Sequence, residues 1–248
     1  MTKLLTLRTA KMDKSSKMDH LSAVLHLEPR YKYKGTSTCP MAGKCFATCL
    51  AHSGRMRFEM NKVSRLWKTR MFLEQREEFF KLLCDDIDAL LRKAQREGLT
   101  PTVRLNGTSD IAWEDIPVAD GLNIFELYKE LQFIDYTKIA ERMLRKQPSN
   151  YHLTYSINEK TKAGFIENLY ANTRFNAAAV FANDMPKYHN VDGTIYSVIS
   201  GDVSDLRHLD KRKRIVGLTY KLAYVNKDGS AFRPVKDNGF LNMIGGRL

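Results

Sequence analysis

The chain has no run of about 18 apolar residues, so no membrane span is expected. Its opening residues, Met1-Thr2-Lys3-Leu4-Leu5-Thr6-Leu7-Arg8, are too short and interrupted for a secretory leader, which points to a cytoplasmic, reducing setting. A Gly-x4-Gly-Lys-Ser/Thr phosphate loop and a Gly-x-Gly-x2-Gly fingerprint are both missing, setting aside nucleotide kinases and nicotinamide dehydrogenases. Without a Gly-x-Ser-x-Gly elbow the chain does not read as an α/β-hydrolase. Without His-x-Glu and Pro-Cys-x2-Cys it does not read as a zinc deaminase. No Ser/Gly/Pro-rich linker and no repeat divides the 248 residues, so one domain over 1–248 is expected, with a mobile polar segment at 1–18. Acidic residues are also scarce: 28 against 40 Lys and Arg, a formal net charge of +12. That excess calls for a polyanionic partner, nucleic acid or a nucleotide first. Basic residues recur at Lys11, Lys14 and Lys17, at Arg30, Lys32 and Lys34 beside Tyr31 and Tyr33, and densest at Lys211, Arg212, Lys213 and Arg214.

Three of the four cysteines crowd into eleven residues, spaced Cys39-x5-Cys45-x3-Cys49, with His52 three positions on. In a reducing compartment such a cluster favours metal binding over disulfides. Three thiolates leave one position open on a tetrahedral metal, or one iron open on a four-iron cluster. His52 suits that position on zinc, and a substrate or cofactor suits it on a cluster. The residues alone leave iron–sulfur and zinc both open. Cys84 sits among Phe79, Leu83, Ile87 and Leu91 and reads as core.

Downstream, residues 57–97 carry a helical apolar stripe, as one or two helices, ended by Gly98. Short apolar runs then alternate with helical ones. Strands are expected at 102–105, 133–136, 151–156, 177–181, 195–199 and 215–220, with helices at 124–131, 139–145 and 162–171; an earlier strand lies at 21–27. The alternation predicts an α/β fold with mainly parallel strands, a partial or closed (β/α) barrel with the cysteine loop after its first strand.

The polar residues fall at the carboxyl ends of these strands, where barrels and open α/β sheets build their sites. Asn106, Ser109 and Asp110 follow the second strand. Tyr136 and Lys138 follow the third, and Asn158 the fourth. Asn183 and Asp184 come next, and Ser200, Gly201 and Asp202 follow a later strand, with Lys221 last. Asp110 and Asp202 are the candidate catalytic carboxylates; Asn106, Ser109, Ser200 and Gly201 are candidate cofactor contacts. Arg104, inside an apolar strand, needs an acidic partner such as Asp110, Asp135 or a ligand carboxylate. His189 and His208 are secondary acid–base candidates.

A cysteine loop after the first strand of a (β/α) barrel resembles the radical S-adenosylmethionine enzymes. Cys45-x3-Cys49-x2-His52 is similar to their Cys-x3-Cys-x2-Cys spacing, with histidine in the last place and Cys39 left to supply the third thiolate. The resemblance implies a [4Fe–4S] cluster on Cys39, Cys45 and Cys49 whose open iron takes S-adenosylmethionine. Thr38-Cys39-Pro40, Gly43-Lys44-Cys45-Phe46-Ala47 and Ser200-Gly201-Asp202 also resemble small bacteriophage proteins of the gene product 88 type. That likeness implies a host-cytoplasmic location and brings no known reaction. The leading expectation is an iron–sulfur enzyme acting on a nucleotide or nucleic-acid base. The alternatives are a nucleic-acid-binding protein with structural zinc, and a base or glycosyl transferase using Asp110 and Asp202.

Overall fold

The computed structural model describes residues 3–7, 18–182 and 184–220, and the backbone of Tyr224–Val225, Ala231–Phe232 and Leu241–Asn242. Of the segment expected to be mobile, residues 1–2 and 8–17 lie outside the described residues, as do Asn183 and Lys221.

The sheet starts with β1 (Leu5–Thr6) and β2 (His20–Leu25). It continues through β5 (Thr100–Arg104), β8 (Gln132–Thr137), β9 (Tyr151–Ser156) and β10 (Asn176–Phe181). It ends with β13 (Ile215–Thr219), β12 (Thr194–Ser200) and β11 (Tyr188–Val191), in the spatial order β1-β2-β5-β8-β9-β10-β13-β12-β11. All pairs from β2 to β12 are parallel; β1 and β11 add an antiparallel strand at each edge. From β2 to β10 each strand lies beside its successor in the parallel sheet. A strand–crossover–strand connection is right-handed almost without exception, so this order stacks the crossovers on one face and curls the sheet. No pairing among the described residues joins the two edges. Leu241–Asn242 pairs with Val180 and Phe181 beyond the point where β9 leaves β10.

The strand alternation divides the sheet into two unlike faces. Leu21, Ala23, Leu25, Val103, Leu105, Phe133, Leu153, Ala177 and Ala179 are fully or nearly fully buried in one hydrophobic cluster. That cluster includes the helices α1 (Glu59–Glu74) and α2 (Arg76–Glu97). In α2, Phe79, Phe80, Leu83, Ile87, Leu90 and Ala94 recur at three- and four-residue spacing and form its buried stripe. Phe72, Phe79 and Phe80 surround the fully buried Trp113 with ring centroids 5.1–6.4 Å apart. Each such side chain contributes about 1.5–3 kcal/mol by leaving water. The two helices separate at Gln75, and α2 ends at Gly98, whose φ of 65° is the left-handed cap that glycine favours.

Three expected helices are shorter than their apolar pattern. The first is only α3 (Ile124–Leu127), because the Asn150 amide donates to the carbonyls of Phe125, Tyr128 and Leu131. The second is α4 (Ala140–Leu144), and the third, α5 (Phe165–Asn172), begins after the left-handed Gly164. Three hairpins escaped the periodicity reading: β3 (Lys32–Tyr33) with β4 (Thr36–Ser37), β6 (Pro117–Ala119) with β7 (Leu122–Asn123), and β11 with β12. Each turns on two positive-φ residues, Lys34-Gly35, Asp120-Gly121 and Asp192-Gly193, the backbone that matches strand twist.

The opposite face carries His20, Thr102, Arg104, Tyr136, His152 and Thr154. Part of it is covered by the segment between β12 and β13: the His208 ring packs edge-on against His20 at 5.5 Å, and Asp205 lies 3.8 Å from Arg104. Burial drops His152 to about 3 and His208 to about 4, and also lowers His20 and His189. These rings are neutral in the fold and protonate more readily when unfolded, so their contribution is present above pH 6.5 and is lost as pH falls. Asp135, pushed up to about 7 by burial, and Asp210, also raised by burial, act with the opposite sign, two carboxyls against the lowered histidines. The thermal midpoint is therefore expected to fall from pH 7 to pH 5, and His152→Phe to make that fall shallower. Identical pH slopes for the two proteins in calorimetry would contradict this account.

Candidate active site

A cavity of about 410 Å³ opens at the carboxyl ends of the parallel strands. Six of the seven parallel strands, and the loop after the seventh, send residues to it: Val24 and His26 from β2 and just beyond, Arg104 from β5, and Tyr136 from β8. Ser156, Val180 and Leu218 come from β9, β10 and β13, and Asp202 and Asp205 follow β12. All these strand residues share one alternation phase, the face away from α1 and α2.

Cys39, Cys45 and Cys49 line the same cavity. Their loop is made of three short 3-10 turns, Lys44–Phe46, Leu50–His52 and Gly54–Arg57. It is pinned at three points. Thr38 Oγ1 donates to the Glu28 carbonyl and accepts from the Tyr31 N–H. The Asp110 N–H donates to the Thr38 carbonyl at 2.7 Å. Glu159 Oε1 accepts from the Lys44 N–H at 2.8 Å, and a side chain at Gly43 would collide with that carboxylate. The Cys39 thiol lies 3.7 Å from the Thr108 carbonyl. Burial pushes Cys39 up to about 11 and raises Cys49, with the charge of Lys138 acting more weakly in the opposite direction on both. Among the described residues no three His, Cys, Asp or Glu side chains stand ready as metal ligands. By residue type the three thiols are soft-metal ligands, and all three line this one cavity without forming a ready ligand set. His52 is exposed and packs on Phe46 at 5.2 Å, outside the cavity lining, so it is not placed as a fourth ligand. Half-buried Cys84 packs against the hydrophobic cluster.

The loop after β5 is rigidly hydrogen-bonded. Asn106 Oδ1 accepts from Ser109 Oγ, the Ile111 N–H and Trp113 Nε1. Its Nδ2 donates to the Ile111 carbonyl and to Asp135, and its N–H donates to Asp135 Oδ1 at 2.7 Å. Asn106 and Ser109 therefore line the cavity with side chains already engaged. Asp110 accepts from the Lys138 N–H at 2.8 Å and pairs with Arg142 at 3.0 Å. Arg142 also forks onto Glu114 and reaches Tyr151, whose hydroxyl donates to Asp135. Gly107 has no room for a side chain: a Cβ would stand 2.5–2.6 Å from His26, Val24 and the Leu25 carbonyl.

After β12 the picture differs. Asp202 reaches the cavity and accepts from the Thr219 N–H at 3.0 Å. Ser200 is exposed, and Gly201 packs under Val216, Leu218 and Arg207; neither is among the lining residues. Sequence reasoning passed over His26, which lies in an apolar run, and Arg142, whose acidic partners are about thirty positions upstream. His189 packs on Phe181 in β11, and His208 on His20. Lys211, Arg212 and Lys213 are exposed and, with Arg214, precede β13. Asn176, the first residue of β10, fixes the run by bonding the Lys211 carbonyl and the Arg214 N–H. The basic run thus sits at the amino ends of the strands, opposite the cavity. Because Asp110 holds a buried guanidinium, Asp110→Ala is expected to cost about 3 kcal/mol. Urea unfolding measures it, and a loss below about 1 kcal/mol, the scale of an exposed pair, would show the pair to be idle.

No curated protein and no solved structure matches the chain. A family model described as gene product 88 matches residues 2–233. With that match spanning nearly the whole chain, and with the cysteine loop and strand ends placed as above, the protein belongs to the gene product 88 family, a family of bacteriophage type.

Proposed function

We propose that this protein is a metalloenzyme in which Cys39, Cys45 and Cys49 hold a [4Fe–4S] cluster, with S-adenosylmethionine as co-substrate and a nucleotide or nucleic-acid base as substrate. One observation carries the reading: three thiols and the polar carboxyl ends of a curled parallel sheet face one cavity. When bound, the cluster supplies an electron and an open iron position.

The chain's own residues divide the remaining work. Asp202 faces the bound molecules and accepts hydrogen bonds from hydroxyl or amino groups. Lys138 lines the cavity and supplies a positive charge. Asn106, Ser109 and Asp110 act by shape, since their side chains hold the loop against Asp135, Trp113 and Arg142. Gly201 acts by close packing, which sets where Asp202 stands. The Lys211 to Arg214 run, remote from the cavity, is left as a separate electrostatic surface. In a phage-infected cell the working compartment is the host cytoplasm.

Protein purified without oxygen is expected to be brown and to carry about four irons and four sulfides per chain. Cys39→Ser, Cys45→Ser and Cys49→Ser should each lose most of the iron, while Cys84→Ser should retain it. A colourless, iron-free anaerobic preparation sinks the reading. Zinc alone on the same three thiols would turn the argument to a nucleic-acid-binding protein with structural zinc.

A further inference from the structure

Arg104 is unusual among the cavity residues. It stands at the end of β5 in the phase that faces away from the helices, and its side chain is only 13% exposed. Its guanidinium lies over the Tyr136 ring at 4.9 Å. The nearest carboxylate, on Asp205, is 3.8 Å away, beyond hydrogen-bond distance. Buried Arg104 Nε has no hydrogen-bond partner among the described residues. The same holds for the Tyr136 hydroxyl and for His26 Nδ1. All three residues line the cavity, from β5, β8 and the end of β2.

A buried polar atom left without a partner costs about 1–3 kcal/mol, so three in one small volume call for an occupant. A planar guanidinium with a phenol beside it is a donor set for an oxyanion, carboxylate or phosphate. Hydroxyls, amines and base N–H groups would meet the carboxylates of Asp202 and Asp205 on the same cavity. The depth of Arg104 decides the size class. A polymer's backbone phosphates meet exposed cations such as Lys211 and Arg212, at the other end of the strands, whereas Arg104 is reached only by a molecule that enters the cavity.

We propose that Arg104, with Tyr136 and His26, forms an oxyanion-binding subsite that selects a small monomeric substrate bearing a phosphate or carboxylate, rather than a nucleic-acid strand. The proposal rests on the reading of this cavity as the substrate site, and not on which metal the cysteines hold.

Calorimetric titration of the full chain, metal-loaded and metal-free, tests it. The probes are nucleoside monophosphates, their parent nucleosides, S-adenosylhomocysteine and a short single-stranded oligonucleotide. At least one oxyanion-bearing small probe is expected to bind, and Arg104→Gln to weaken it about tenfold or more, the scale of a charged hydrogen bond. The parent nucleosides should bind both proteins alike. Loss with the monophosphates assigns a phosphate; loss with S-adenosylhomocysteine assigns a carboxylate. Tyr136→Phe keeps the ring under the guanidinium and should weaken the same probe by a few-fold, which preserves the test if Arg104→Gln misfolds. Equal affinities for wild type and both variants overturn the subsite, as does the absence of binding by any small probe. An oligonucleotide whose affinity depends on Arg104 overturns the monomeric class. An iron-free protein that still shows the Arg104 effect would remove the cluster and keep the subsite; an iron-loaded protein without that effect would do the reverse.

Discussion

The side chain of Asn106 ties the molecule together. One amide accepts three hydrogen bonds, donates two, and rests on the carboxylate of Asp135 in the neighbouring strand. Asp135 is almost completely buried and is held by the Asn106 backbone and the Tyr151 hydroxyl. Tyr151 in turn bonds Arg142, and Arg142 bonds Asp110 and Glu114. Strands β5, β8 and β9 and helix α4 are therefore joined through one polar chain at the rim of the sheet. Within a low-dielectric interior such a network is stable only when its members are satisfied together. That fixes the loop from Asn106 to Asp110, and through the Thr38 carbonyl it fixes the start of the cysteine loop.

Above this clamp the sheet behaves as a two-sided object. One phase of the strands packs its apolar side chains on α1 and α2; the other presents histidines, threonines, Arg104 and Tyr136. Such alternation is local and was legible from residue order: the apolar runs located the seven strands of the parallel sheet, and their polar ends located the rim. The cysteine loop was legible as well, because density of thiols within eleven residues depends on no distant contact.

What was not legible is what depends on distance or on backbone handedness. Nothing in the neighbourhood of Arg142 announces Asp110 and Glu114, and nothing near Arg104 announces Asp205, about a hundred residues on. Asp202 and Ser200 look alike as strand-end residues, yet the turn at Gly201 separates an exposed hydroxyl from a cavity carboxylate. The shortness of α3 follows from Asn150, a residue in a different segment that takes the carbonyls a longer helix would have used. Apart from β12, the hairpin strands are two to four residues long and have too few alternations to register as a period. Their signal was the paired residues Asp120-Gly121 and Asp192-Gly193, which accept the left-handed turn.

The winding of the sheet also sets an order of assembly. Most strands from β2 to β10 pair with the preceding strand of the sheet, so contacts of modest sequence separation accumulate as the chain leaves the ribosome. The cysteine loop emerges right after β2, but Thr219 and Tyr220, which line the opposite part of the cavity, emerge last among the lining residues. During synthesis the three thiols are thus presented for a long interval beside a half-built wall. The cavity stays open on that side until β13, which arrives late, completes its wall.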